Sequence, residues 1–128
     1  MQLSQERPDY SYVLRGADGQ HARVNDRVLQ RSFAISPDQL VEDWDAPASV
    51  AELAVGHLEP LLALKPELIV LGTGSNQIFP ASAVMAACMS RGIGIEVMNN
   101  AAAARTFNVL AAEGRRALVA MLLEPAAG

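Results

Sequence analysis

Cysteine occurs once, at Cys88, in a chain of 128 residues. A single thiol excludes an internal disulfide and any all-cysteine metal site, and it suits a reducing compartment. Histidine occurs twice, as His21 and His57. One falls on an expected hairpin and the other on an expected helix, so no metal centre is expected. Basic excess is also missing: 14 acids stand against 10 bases, for a net charge of −4. A nucleic-acid surface would carry a basic stripe, so no nucleic-acid partner is expected. No apolar run approaches the roughly 18 residues of a membrane span. Met1 to Arg7 lacks an apolar stretch of the kind a signal peptide needs. No signal peptide or presequence is therefore expected, and the chain reads as cytoplasmic. A Gly-Lys-Ser/Thr run is absent, which excludes a P-loop. No Ser-His-Asp order, paired catalytic carboxylates or metal-ligand spacing emerges. No catalytic residue is assigned, and no cofactor is expected.

What is present is apolar and ordered in pattern. Hydrophobic residues make up 51% of the chain, and a domain of this size buries roughly two-thirds of its unfolded surface. One domain is expected over residues 10–124, with a loose start from Met1 to Asp9 and a frayed tail from Pro125 to Gly128. Its organising stretch is Glu67 to Leu123. Leu68 to Leu71, Ile93 to Met98 and Ala117 to Leu123 read as strands, and the continuous apolar runs suit parallel strands covered on both faces. Between them, Pro80 to Arg91 and Ala101 to Glu113 read as helices. Two such βαβ crossovers imply a parallel sheet with right-handed connections. On the second helix Ala103, Phe107, Leu110 and Ala111 are spaced to face that sheet.

The N-terminal third reads as β. Tyr12 to Val24 forms a hairpin around Asp18-Gly19, and Asn25-Asp26 makes a second turn. Arg27 to Ile35 alternates as one strand, with Leu29, Phe33 and Ile35 on the buried face and Arg31 at the sheet edge. Ser36-Pro37-Asp38 closes it, and Trp44 is placed as a lid on the core. A helix then starts at Ser49, where Ser49 and Glu52 fit a capping box. Gly56 and Pro60 weaken that helix, so a break or a tightened turn is expected near Glu59. His57 lies beside its buried stripe and is read as structural.

Chemistry could sit at Gly72-Thr73-Gly74-Ser75, where a parallel strand ends. Ligands bind there in open α/β sheets. Small residues let backbone amides approach an anion, and Thr73, Ser75, Asn76 and Gln77 add neutral hydrogen-bonding groups. Against this, position 77 is Gln77 where a dinucleotide fingerprint has its third glycine. The alternative is a tight turn that needs glycine torsions. Glu96 is the odd residue in a strand expected to be covered on both faces. It reads as an acid paired with Arg105, as an acid in water at a strand end, or as a ribose-type carboxylate. Asn99-Asn100 ends that strand and N-caps the next helix. Arg105 and Asn108 share another side of that helix and Thr106 begins the rim; they suit an interface rim or, equally, ordinary helix-surface polarity. Cys88 reads as a buried, inert thiol.

Pro66 to Gly74, followed by Gly92 to Met98 and Ala103 to Arg115, resembles the small domain family that includes mitochondrial NADH dehydrogenase (complex I) assembly factor three. Ser36-Pro37 and Trp44 resemble its N-terminal half. The resemblance implies a three-layer α/β fold: a mixed, mainly parallel sheet flanked by helices, with an added N-terminal β-hairpin. It implies no catalytic residues. Its functional implication is a non-enzymatic interaction or assembly module with protein partners, in building a respiratory complex. Homo-oligomerisation stays open beside it. The competing reading is a small-molecule or anion binder using Gly72, Thr73, Gly74, Ser75, Asn76, Glu96, Asn99 and Arg105.

Overall fold

The computed structural model describes residues 11–125. The expected loose start, and all of the expected frayed tail except Pro125, lie outside the described residues. Three strands form a small antiparallel sheet in the order β1-β2-β3: β1 (Leu14–Ala17), β2 (Ala22–Val24) and β3 (Arg27–Leu29). Five more form a mixed sheet: β4 (Phe33–Ser36), β5 (Gln39–Val41), β6 (Leu68–Gly72), β7 (Gly94–Met98) and β8 (Ala117–Met121). Their order is β5-β4-β8-β6-β7. β6 pairs in parallel with both β7 and β8, while β4 runs antiparallel to β8 and β5. The three expected parallel strands are therefore neighbours, joined by α2 (Ser82–Met89) and α3 (Asn100–Ala112). The three-layer mixed fold stands.

Pattern explains which strands are central. β6 and β8 are buried at every residue. Both are covered on two faces, so neither needs alternation. On one face Ile69, Leu71, Leu118 and Ala120 pack against Leu58 and Leu61 of α1 (Val55–Leu62), Val84 and Cys88 of α2, and Trp44. On the other face Val70, Val119, Met121, Phe33 and Ile35 pack against α3 and the small sheet. α3 sends Ala103, Ala104 and Phe107 into that layer, while Leu14, Val24 and Leu29 come from the small sheet. Truncating a side chain as buried as Phe107 to alanine costs about 3–5 kcal/mol.

Four sequence expectations change. Arg27 to Ile35 is two strands in two sheets, not one. The alternation ran through unbroken because Leu29, Phe33 and Ile35 all face one core cluster. The chain crosses between layers at Ser32, whose Oγ accepts the Leu123 N–H at 2.9 Å. The expected helix from Ser49 is also split. Val50–Glu52 is a 3-10 turn, and Ser49 makes no side-chain capping bond among the described residues. The break falls at Leu53-Ala54, not near Glu59, because His57 takes over the capping: its Nδ1 accepts the Ala54 N–H at 2.9 Å. Pro60 is tolerated inside α1, on its exposed side. α2 starts at Ser82 rather than Pro80, which is buried in the preceding loop. Finally, β7 is an edge strand. Glu96 is exposed there and not covered on both faces, because no further strand or helix closes over it. Trp44 is buried as expected, and its Nε1 donates to the His57 carbonyl at 2.7 Å.

Candidate functional site

β6 ends at Gly72, beside the end of β7 and the start of α3. Thr73, Gly74, Ser75, Asn76 and Asn99 gather there as the sequence suggested. The structure occupies most of their polar groups internally. Thr73 Oγ1 donates to the Asn76 carbonyl at 2.5 Å and accepts the Ile78 N–H at 3.1 Å. Gln77 Nε2 donates to the Val97 carbonyl at 2.9 Å. Asn99 caps α3, its side chain accepting the Ala102 N–H at 2.8 Å. Gly74 holds φ +100°, a torsion that favours glycine. Ser75 and Asn76 are exposed. The Ser75 hydroxyl lies against Gly19, where an added side chain would collide with it.

The residue that organises this end is Asn100, fully buried. Its Oδ1 accepts the Gly74 N–H at 3.0 Å, and its Nδ2 donates to the carbonyls of Asp18 and Leu122, both at 2.9 Å. Its own N–H donates to the Gly74 carbonyl at 2.8 Å. One side chain thus ties the hairpin turn, the glycine loop, the end of β8 and the start of α3. A buried amide with every group paired specifies one arrangement, since each lost partner leaves a buried polar group unsatisfied. The sequence pointed to capping for Asn99-Asn100 together; Asn99 takes the cap and Asn100 becomes the staple. Gly72 is needed for the same reason: a Cβ there would lie 2.5 Å from Asn100 Oδ1.

Glu96 and Arg105 do not join this cluster. Ion pairs among the described residues link Arg27 with Glu42, Glu59 with Arg91 and Glu67 with Arg115, and His21 Nδ1 lies 3.5 Å from Asp18 Oδ1. The expected Glu96–Arg105 pair is not among them; both side chains are exposed. Asn108 is a second correction. Its Oδ1 accepts the Leu14 N–H at 3.0 Å and its Nδ2 donates to the Leu14 carbonyl at 2.6 Å, docking α3 on β1. It serves the fold rather than a free rim. Thr106 is half-buried, with Oγ1 3.3 Å from Met98 Sδ. Burial of Cys88 pushes its thiol above the usual range, with Arg91 opposing weakly, so it is not a ready thiolate. Among the described residues no group of acids, histidines and cysteine is placed to hold a metal. A groove of about 1000 Å³ lies between Arg27–Phe33 and Glu42–Ala48, and one of about 440 Å³ lies between Ser36–Gln39 and Gly114–Leu118. None of the candidate site residues lines either.

Residues 14–122 match the model of a family described as a protein of unknown function, DUF498/DUF598. The chain belongs to the DUF498/DUF598 family. One relative is the NADH dehydrogenase [ubiquinone] 1 alpha subcomplex assembly factor 3 of Danio rerio, 31% identical over 119 residues, covering 91% of this chain and 64% of that protein. Another is the 13 kDa major membrane protein of Francisella tularensis subsp. holarctica, 30% identical over 81 residues, covering 63% of this chain and 66% of that protein. The chain thus spans just under two thirds of the length of either relative. An NMR structure of a Xanthomonas campestris protein is 54% identical, with a TM-score of 0.84, over 100% of this chain and 96% of that one. Membership in the DUF498/DUF598 family accords with the resemblance carried by the two βαβ units.

Proposed function

We propose that this DUF498/DUF598 chain is a non-enzymatic interaction module that serves the assembly of a protein complex. Kinship with an assembly factor of NADH dehydrogenase supports the reading. The observation that carries it is the internal use of the polar groups at the strand ends. Thr73, Gly74, Asn99 and Asn100 are bonded to the protein itself, leaving the exposed Ser75 and Asn76 side chains as what the loop offers a ligand. The contact residues proposed are Arg105, exposed on α3, and Thr106 beside it; Asn108 supports them from within. Respiratory complex I is the finer proposal for the client. A cytoplasmic location is part of the same proposal. Among the described residues no helix is long and apolar enough to cross a membrane. The Francisella relative carries a membrane protein's name, so cell fractionation is a direct check: recovery with the membranes overturns the location.

The test of function uses the tagged chain at native expression. The expected result is one co-purifying protein, identified by mass spectrometry, whose recovery falls with Arg105→Ala while the melting temperature holds. A ligand stabilises a protein only by its preference for the folded state, so millimolar NAD or ATP should leave the melting temperature unchanged. A rise of several degrees, abolished by Ser75→Ala or Glu96→Gln, overturns the reading in favour of a ligand site.

A further inference from the structure

The outer edge of β7 has a hydrogen-bonding pattern of its own. Gly94 N–H donates to the Glu67 carbonyl at 3.4 Å, and the Met98 carbonyl accepts from Thr73 N–H at 3.0 Å. Backbone groups of Gly94, Glu96 and Met98 therefore face β6, and those of Ile93, Ile95 and Val97 face outward. Two of the outward groups are occupied. Ile93 N–H donates to the Cys88 carbonyl at 3.0 Å, and the Val97 carbonyl accepts from Gln77 at 2.9 Å. The Ile93 carbonyl, both groups of Ile95 and the Val97 N–H have no partner among the described residues.

We propose that a second copy of this chain pairs antiparallel along this edge, with Ile95 opposite Ile95. The free window is symmetric about Ile95, so it complements itself, as a two-fold interface requires. The two Ile95 residues exchange both of their bonds, and each Val97 N–H reaches the Ile93 carbonyl of the other copy. Every free group finds a partner, and the two occupied groups are the ones this pairing leaves aside. Side chains fit the same register. Glu96 falls opposite Gly94 of the second copy and Met98 opposite Gly92, where no side chain stands in the way. A register centred on Glu96 would set two carboxylates face to face, which is unfavourable, and would need the Val97 carbonyl that Gln77 holds.

Apolar surface supplies the ends of the interface. Six large apolar side chains are exposed among the described residues, and three lie along this edge: Ile78 (48%), Phe79 (64%) and Met89 (67%). The Gln77 bond sets Ile78 and Phe79 beside the carboxyl end of β7. Met89 closes α2, just before the turn into the amino end of β7. Antiparallel pairing brings these ends together, so Ile78 and Phe79 of each copy meet Met89 of the other. The two mixed sheets become one, and the unpaired edge, an aggregation liability, is removed. The proposal is independent of the assembly reading above.

Sedimentation analysis of the full chain from micromolar to submillimolar concentration tests it. The expected mass approaches twice the 13.6 kDa of one chain. Phe79→Asp, at an exposed position, should weaken association about tenfold or more, as loss of an apolar anchor does. Ile95→Pro should abolish it while keeping the fold, because proline is tolerated on an edge strand where the N–H faces out. Glu96→Gln should change the dissociation constant less than about twofold, since no carboxylate opposes it. A chain that stays monomeric throughout, a dimer indifferent to Phe79→Asp, or a dimer tightened about tenfold by Glu96→Gln as like-charge relief would give overturns the pairing. Should Ile95→Pro fail to fold, Phe79→Asp decides alone.

Discussion

The loop after β6 and the outer edge of β7 touch at one bond, from Gln77 to Val97. They treat their polar groups in opposite ways. The loop is rich in residues that look ready to bind something, and the fold has occupied the Thr73 and Gln77 side chains, leaving those of Ser75 and Asn76 exposed. The edge reads as ordinary strand, Gly94-Ile95-Glu96-Val97-Met98, yet its backbone at Ile95 is unpartnered among the described residues. Polar side chains in a loop indicate a site only if nothing inside the protein uses them. An unpaired strand edge advertises itself through its backbone, whatever its side chains are.

The largest loss is expected at Asn100. Asn100→Ala leaves the Gly74 N–H and the carbonyls of Asp18 and Leu122 short of a partner in or near the interior. At about 1–3 kcal/mol per unsatisfied buried group, the loss should reach about 3 kcal/mol or more, read from urea unfolding. A loss below about 1 kcal/mol, the net worth of one ordinary hydrogen bond, would mean the loop is not stapled and its groups are available.

Gly74→Val comes next. A Cβ at Gly74 meets nothing within 4 Å, so the penalty is torsional, from φ +100°. About 1–3 kcal/mol is expected for a branched residue held there. An unchanged melting curve would remove torsion as the reason for this glycine and reopen close backbone approach by a ligand.

On α3, Asn108 is engaged by the fold while Arg105 is exposed. Asn108→Ala should cost about 1–2 kcal/mol, because it removes both bonds to the Leu14 backbone. Arg105→Ala should stay within about 0.5 kcal/mol, as exposed substitutions do. Combining Arg105→Ala with Glu96→Gln should give additive effects, since the two side chains are not paired. Coupling in a double-mutant cycle would restore the ion pair.

The smallest effect is at Asp18. Its carboxylate accepts the N–H groups of Gln20 and then His21, at 2.8 and 2.7 Å, which hold it below its ordinary value of 3.8. A group depressed in the folded state adds stability above its unfolded value and loses it as pH falls through the folded one. Stability should therefore decline below pH 3.8, and less steeply in Asp18→Asn. Urea midpoints at about pH 5 and about pH 3 measure the difference. Equal slopes would show that the turn gains nothing from the charge.

Local pattern was enough for much of this protein. Continuous apolar runs at Leu68 to Leu71 and Ala117 to Leu123 identified the two strands covered on both faces. The spacing of Ala103, Phe107 and Leu110 marked the buried face of α3, and Asp18-Gly19 marked the first turn. These features depend on neighbours a few residues apart, so periodicity records them. The tertiary structure decided what depends on distant partners. Gly94 to Met98 looks like a central strand, and only the sheet order makes it an edge, with Glu96 in water. Arg27 to Ile35 keeps one alternation across two sheets, so no local signal could show the crossing at Ser32. Asn100 reaches Asp18 across 82 positions, and Asn108 reaches Leu14 across 94. An asparagine carries the same donors and acceptors in a cap, a site or a staple. Which of them it becomes is settled by the chain that folds against it.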